Sequence, residues 1–255
     1  MKGPCPIAHD ERLENMRRIA SAVRAHYAAD LLALGVYGSL ARGTDGPFSD
    51  IEMHCVLRGD GIETCYEWSN GPWKAEVDVN SADVLLRWAA QVEGEWPITH
   101  GGVVNVEALY DPDAFFPRLR AAALDHSDQA FELAMRELII GTIYELVGKL
   151  RNANAAGNRV VLPYYTLELA RAGACLVGLA NHHLFTTTSC MWDESLTLPG
   201  APPGYAELAQ LVMSGRLARS QPIMRAVNAF WEGIEQWAEG RGMGLVDTLE
   251  DLLKN

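Results

Sequence analysis

Basic residues are scarce in this 255-residue chain: 21 lysines and arginines stand against 33 aspartates and glutamates, a formal charge of −12. A protein that grips DNA or transfer RNA needs a basic surface, because its affinity rests on neutralising phosphates. The deficit argues against a nucleic-acid partner and for a polycationic one, which an acidic surface attracts and steers. Long apolar runs are missing too. No stretch approaches the ~20 uninterrupted apolar residues of a membrane helix. The N-terminus, MKGPCPIAHDERLEN, has a single lysine, no apolar core and early acids, unlike a secretion signal. The expectation is a cytoplasmic protein without membrane association. The five cysteines, at 5, 55, 65, 175 and 190, are odd in number and lack metal-site spacing, which predicts reduced thiols. Cys55 and Cys175 fall in apolar segments and read as small buried hydrophobes.

With 49% apolar residues the chain can bury a substantial core, as one large or two modest domains. Apolar residues at helical spacing over 10–29 predict an amphipathic helix. Strands are expected around 31–38, 49–57 and 73–80, then a helix near 81–93 and a strand near 102–110. From about 126 the pattern turns helical, over 127–152, 163–183, 203–215 and 220–239, with Gly/Pro/Asn-rich joints between. This is an α+β layout: a mixed-sheet domain over residues 1–125 and a helical-bundle domain over 126–255.

The chemistry concentrates in LLALGVYGSLARGTDGPFSDIEMHCVL. An apolar run from Leu31 to Tyr37 reaches a Gly38-Ser39 turn, and a second alternating run starts at Ser49. Successive strand side chains point to opposite faces, so Asp50 and Glu52 share one face. Two adjacent carboxylates repel unless a cation lies between them, and magnesium, with its oxygen ligands and substrate phosphates, suits the pair. Gly38 lets a phosphate approach the backbone, Ser39 adds a hydroxyl, and Arg42 supplies positive charge to the same phosphates. In WKAEVDVN the alternation puts Lys74, Glu76 and Asp78 on one face.

The stretch GVYGSLARGTDGPFSDIEM resembles the nucleotidyltransferase superfamily to which DNA polymerase beta belongs. More narrowly it resembles the aminoglycoside 4'-O-nucleotidyltransferases, or kanamycin nucleotidyltransferase family. EWSNGPWKAEV, QVEGEWPITHG, VGKLRN, GLANHHLFTTT and FWEGIEQW extend the similarity over most of the chain. The resemblance implies a polymerase-beta-like domain, magnesium, ATP as co-substrate, and AMP transfer to the 4'-hydroxyl of an aminoglycoside such as kanamycin or tobramycin, conferring resistance. It implies Asp50 and Glu52 as metal ligands and Ser39, Ser49, Arg42 and Lys149 as triphosphate contacts. It places a further functional carboxylate at Glu76, as a third metal ligand or an ammonium partner, with Asp78 as the alternative. Glu67, Lys74 and Glu95 become substrate contacts.

Glu145 and Lys149 lie four apart in GTIYELVGKLRN, and on spacing alone they form an ordinary helix-surface ion pair. The resemblance instead makes Glu145 the base for the sugar hydroxyl and Lys149 a phosphate ligand, on a helix that reaches the partner's active site in a homodimer. Thr187, in the Thr186–Thr188 run, reads either as a nucleotide contact or as a helix cap. His100, His182 and His183 lack a third ligand at metal spacing, and Trp231 and Trp237 read as packing aromatics. Two other readings remain: a nucleotidyltransferase for another acceptor, such as a lincosamide or a protein hydroxyl, and a non-catalytic nucleotide-binding or antitoxin-like protein.

Overall fold

Leu31–Tyr37 (β1), a seven-residue apolar strand buried along nearly its whole length, is the element from which the sheet is built. The computed structural model describes residues 3–253; residues 1–2, including the N-terminal lysine at position 2, and 254–255 lie outside them. Before β1 runs the helix α1 (His9–Tyr27), and after it a four-residue helical turn, α2 (Gly38–Ala41). Strands β2 (Ile51–Leu57), β3 (Glu63–Asn70), β4 (Trp73–Ser81) and β5 (Glu107–Tyr110) complete a five-stranded mixed sheet in the order β3-β4-β2-β1-β5. β1 and β2 pair antiparallel, as do β3 and β4, whereas β2 and β4 run parallel. Helices α3 (Ala82–Ala89), α5 (Gly101–Val104) and α6 (Phe115–Leu124) fill the rest of this half, and the short α4 (Trp96–Thr99) falls between α3 and α5 in the chain.

The chain divides into two compact units. One holds the chain up to Gln91 with His100–His126; the other holds Val92–Thr99 with the chain from Ser127. In the first, Ile51, Met53, Cys55, Ala75, Val77 and Val79 turn to one face of the sheet and pack with Met16 and Ala20 of α1. Period-2 alternation sends Glu52, His54, Glu76 and Asp78 to the other face. Trp96 explains why Val92–Thr99 belongs to the second unit: its ring is buried in that unit's apolar cluster, edge-on to Phe131.

The second unit is helical: α7 (Asp128–Leu138), α8 (Tyr144–Ala155), α9 (Leu162–Ala180), α10 (Met191–Thr197), α11 (Tyr205–Met213) and α12 (Ser220–Gly240). α9 is buried along most of its length and touches α4, α7, α8, α10, α11 and α12. The helix expected over 127–152 is interrupted at Ile139–Ile143 by a π-helical turn that carries Gly141 and Thr142. Such turns insert one residue into the helical ladder and rotate the helix beyond them. The α+β architecture, a mixed sheet with helices followed by helices alone, holds. The strand β3 and the helices α4, α5, α6 and α10 were not expected from the sequence, and the strand expected near 102–110 is confined to Glu107–Tyr110 because α5 occupies Gly101–Val104. Among the described residues no disulfide joins the cysteines, and Cys55 and Cys175 are buried. No helix among them is long and apolar enough to cross a membrane.

Candidate active site

The parallel register of β2 and β4 sets Glu52 opposite Glu76, and the antiparallel register of β4 and β3 sets Glu76 opposite Glu67. Three glutamates thus stand abreast on one sheet face. Asp50 enters just before β2. Lys74, two residues before Glu76 on the same face, lies among them, its Nζ 2.7 Å from Glu67, 3.3 Å from Glu76 and 3.7 Å from Asp50. This surplus of negative charge is felt most by Glu52. Burial, then the carboxylates of Asp50 and Glu76, push its pKa up to about 7, against the opposing pull of Arg42 and Lys74.

Gly38 caps this cluster. Its φ of +73° is left-handed, and an added β-carbon would collide with Oε2 of Glu52. Only glycine brings the turn so close to the carboxylate. The Ser39 carbonyl accepts the Thr44 N–H at 3.0 Å and so closes the loop after α2. Nε of Arg42 is buried without a hydrogen-bond partner, a donor left over in a site expected to take phosphate. Ser49 Oγ accepts the Gly46 N–H at 3.0 Å, so its hydroxyl shapes the loop that delivers Asp50.

That loop is clamped by Arg12 of α1, a residue without a signal in the sequence. Arg12 is 1% exposed; its Nε donates to the Ser49 carbonyl at 2.9 Å and another nitrogen to the Pro47 carbonyl at 3.0 Å, while Nη1 pairs with Asp45. Burial alone would raise the Asp45 pKa, but hydrogen bonds from His9 and Arg12 outweigh it and hold the carboxyl below its usual range. A DER run in an amphipathic helix reads as surface charge, which is why Arg12 did not stand out.

Tyr37, the last residue of β1, was also missed, because it ends an apolar run. Its hydroxyl lies 2.9 Å from Glu76 Oε1 and 2.8 Å from Asp78 Oδ2. Burial, then Asp78 and Glu76, raise its pKa, so it stays protonated and donates. Both Glu76 and Asp78 therefore meet at the Tyr37 hydroxyl, Glu76 with one oxygen on Tyr37 and the other on Lys74.

The donor set fits magnesium. Asp50 and Glu52 offer hard oxygens, and a carboxyl as proton-hungry as Glu52 is short of a cation. No three His, Cys, Asp or Glu side chains among the described residues form a ready-made cage.

In the helical unit, Glu145 Oε1 and Lys149 Nζ of α8 are 2.7 Å apart on an open surface. Donating to Glu145 raises the Lys149 pKa, and the ammonium lies 5.8 Å above the ring of Tyr165. Glu95 pairs with Arg171 at 2.8 Å in a cleft of about 380 Å³ that Glu93, Glu137, Glu168 and Thr142 also line. Thr187 Oγ1 accepts the Cys190 N–H at 3.1 Å in the turn leading into α10. His183 pairs with Glu194 at 2.9 Å, and His182 stacks on Phe131 at 3.8 Å between ring centres.

The glycine turn and the paired carboxylates are the features on which the resemblance to nucleotidyltransferases rests. A nucleotidyltransferase-like protein from Exiguobacterium sibiricum 255-15 shares the fold, with a TM-score of 0.55 at 12% identity over 89% of this chain and 75% of that one. The family model of the KNTase C-terminal domain matches residues 113–244. An aminoglycoside nucleotidyltransferase (4') of Staphylococcus aureus is 38% identical over 242 residues, 95% of this chain and 96% of its own length. One from a Bacillus species matches to the same extent, 38% over 242 residues. The chain belongs to the aminoglycoside nucleotidyltransferase (4') family.

Proposed function

We propose that this protein transfers AMP from ATP to the 4'-hydroxyl of an aminoglycoside, releases pyrophosphate and so confers resistance to the antibiotic. The observation that carries the reading is the row of Glu52, Glu76 and Glu67 beside the Gly38 turn, with the Lys74 ammonium already held among carboxylates. A face that holds one ammonium group suits a polyamine acceptor, and it lies where the turn suits a triphosphate. The chain's net charge of −12 favours the same class of ligand.

Asp50 and Glu52, beside the third carboxylate Glu76, are the residues that would hold Mg²⁺, which would supply electrostatic stabilisation of the charge on departing pyrophosphate. Gly38, Ser39 and the Arg42 guanidinium grip the triphosphate, with Ser49 setting the loop and Lys149 and Thr187 as further nucleotide contacts. Glu52, Glu67, Lys74, Glu76 and Glu95 receive the acceptor. Glu145 takes the proton from the attacking hydroxyl, which displaces pyrophosphate in line and inverts the α-phosphorus.

The protein acts as a homodimer in this reading, with α8 of the partner completing each active site, and it works in the cytoplasm. The exposed apolar side chains of Ile140 and Tyr144, on the helical run that leads to Glu145, support a subunit contact there. The test is direct. Purified protein with ATP, Mg²⁺ and kanamycin or tobramycin should release pyrophosphate and add an AMP-sized mass to the drug, and omitting the metal or substituting Asp50→Asn should abolish both. ATP binding without any adduct on a panel of aminoglycosides would refute the acceptor and point to another hydroxyl or a binding role.

A further inference from the structure

The hydroxyl of Tyr37 carries one hydrogen and has two carboxylates within hydrogen-bond distance, Glu76 at 2.9 Å and Asp78 at 2.8 Å. A phenol donates to one acceptor at a time, so Glu76 and Asp78 compete for it. The ring cannot swing away, because it is stacked on His54 with centroids 4.2 Å apart and planes 16° from parallel. His54 is itself fixed. Its ring is 6% exposed, and its Nε2 lies 3.2 Å from the Gly102 carbonyl. Its Nδ1 is buried without a hydrogen bond and lies 3.9 Å from Asp78 Oδ2, so the ring seats Tyr37 by stacking and borders the second carboxylate without donating to it.

Glu76 uses its two oxygens differently. Oε1 faces Tyr37, and Oε2 faces the Lys74 ammonium at 3.3 Å. The Tyr37 hydrogen bond therefore selects the rotamer in which Oε2 points to a cation on the open side of the sheet. We propose that Tyr37, seated on His54, is the positioning residue that orients Glu76 toward an ammonium group of the acceptor. Asp78 is the second acceptor that keeps the hydroxyl in place when Glu76 turns to its ligand. This role rests on the reading of the protein as an aminoglycoside-modifying enzyme.

Tyr37→Phe tests it with little risk to folding, since the ring and its stack on His54 remain. The expected result is a KM for kanamycin about tenfold higher, the size expected for losing a hydrogen bond to a charged group. The KM for ATP should stay within twofold and kcat within threefold. Calorimetric titration of kanamycin into nucleotide-free and metal-free protein should show the same loss. His54→Ala removes the platform and should reproduce the kanamycin effect, and the double variant should be no worse than Tyr37→Phe alone, because both act through one hydrogen bond. An unchanged kanamycin KM, an equal rise in the ATP KM, or multiplying effects in the double variant would overturn the positioning role. Wild-type protein that modifies no aminoglycoside would sink the underlying reading instead, so the two failures are separable.

Discussion

Gly38 and Glu52 share a space that a single β-carbon would overfill: added at Gly38, it would collide with Oε2 of Glu52, and Gly38 sits at a φ of +73°. The Gly38 turn and the Glu52 carboxylate, proposed above to take phosphate and metal, are thus built against each other. Gly38→Ala should cost about 1–2 kcal/mol for the left-handed backbone alone and push Glu52 from its place besides. We expect kcat for AMP transfer to fall at least ~100-fold, on the scale of losing one preorganised electrostatic contact, while circular dichroism stays native. Activity within a few-fold of wild type would show that the turn and Glu52 move independently.

The raised pKa of Glu52 makes metal-free stability depend on pH. The carboxyl has its ordinary pKa of 4.5 when unfolded and about 7 when folded, so the folded state binds the proton more tightly. Its stabilising contribution is full below pH 4.5 and is lost as pH rises through 7. Solvent screens a half-buried group, so the expected size is about 1–2 kcal/mol. In chelator-treated protein, Glu52→Gln should match wild type near pH 4.5 and exceed it by that amount at pH 8, measured by urea unfolding. Added Mg²⁺ should stabilise wild type at pH 8 and leave the variant nearly unmoved. Parallel curves for the two proteins from pH 4.5 to 8 would contradict this electrostatic picture.

Arg12 makes a separate prediction, about the loop that delivers Asp50. Its guanidinium reaches Ser49, Pro47 and Asp45 from a position 1% exposed. Arg12→Met keeps the bulk but leaves Asp45 buried with only His9, 2.8 Å away, as a partner. Breaking a buried pair by removing one partner is costly, about 3–5 kcal/mol, and the remaining His9 contact should reduce that to about 2–4 kcal/mol. Arg12→Lys should recover only part, because a point ammonium cannot serve three acceptors laid out for a planar fork. A urea midpoint shifted by less than the equivalent of ~1 kcal/mol would show the clamp to be dispensable.

Period-2 alternation made Asp50 and Glu52 legible as one polar strand face and Lys74, Glu76 and Asp78 as another from the sequence alone, since the pleat leaves no other arrangement. What it could not show was which strands lie side by side, and hence that Glu67 comes abreast of Glu76. ETCYEWSN escaped notice as a strand because it is an exposed edge, with no buried face to impose alternation. Tyr37 and Arg12 were hidden for opposite reasons, one a hydroxyl at the end of an apolar run and the other a buried charge in a polar one. The passage of Val92–Thr99 into the helical unit depends on where Trp96 finds its apolar neighbours, a tertiary fact with no local signature. The π turn at Ile139–Ile143 likewise left the apolar spacing almost unbroken.

Glu145 separates an ordinary surface ion pair from a catalytic one. Its contact with Lys149 is 2.7 Å long, and both side chains are well exposed, 60% for Glu145 and 46% for Lys149. A pair of this kind contributes little to stability, so Glu145→Gln should unfold with wild type. If the carboxylate only decorates the helix, kcat is untouched as well. If it accepts the acceptor's proton, kcat falls by about 10²–10⁴, the range for removing a general base. The neutral amide keeps the shape of the side chain, so the ATP dissociation constant should move little. Lys149→Met should do the reverse in part, raising the KM for ATP through the lost phosphate contact. The base assignment therefore predicts a drop in kcat at unchanged ATP affinity for one variant and a rise in the ATP KM for the other. An unchanged kcat in Glu145→Gln would return the pair to the helix surface and leave the proton acceptor to be sought elsewhere.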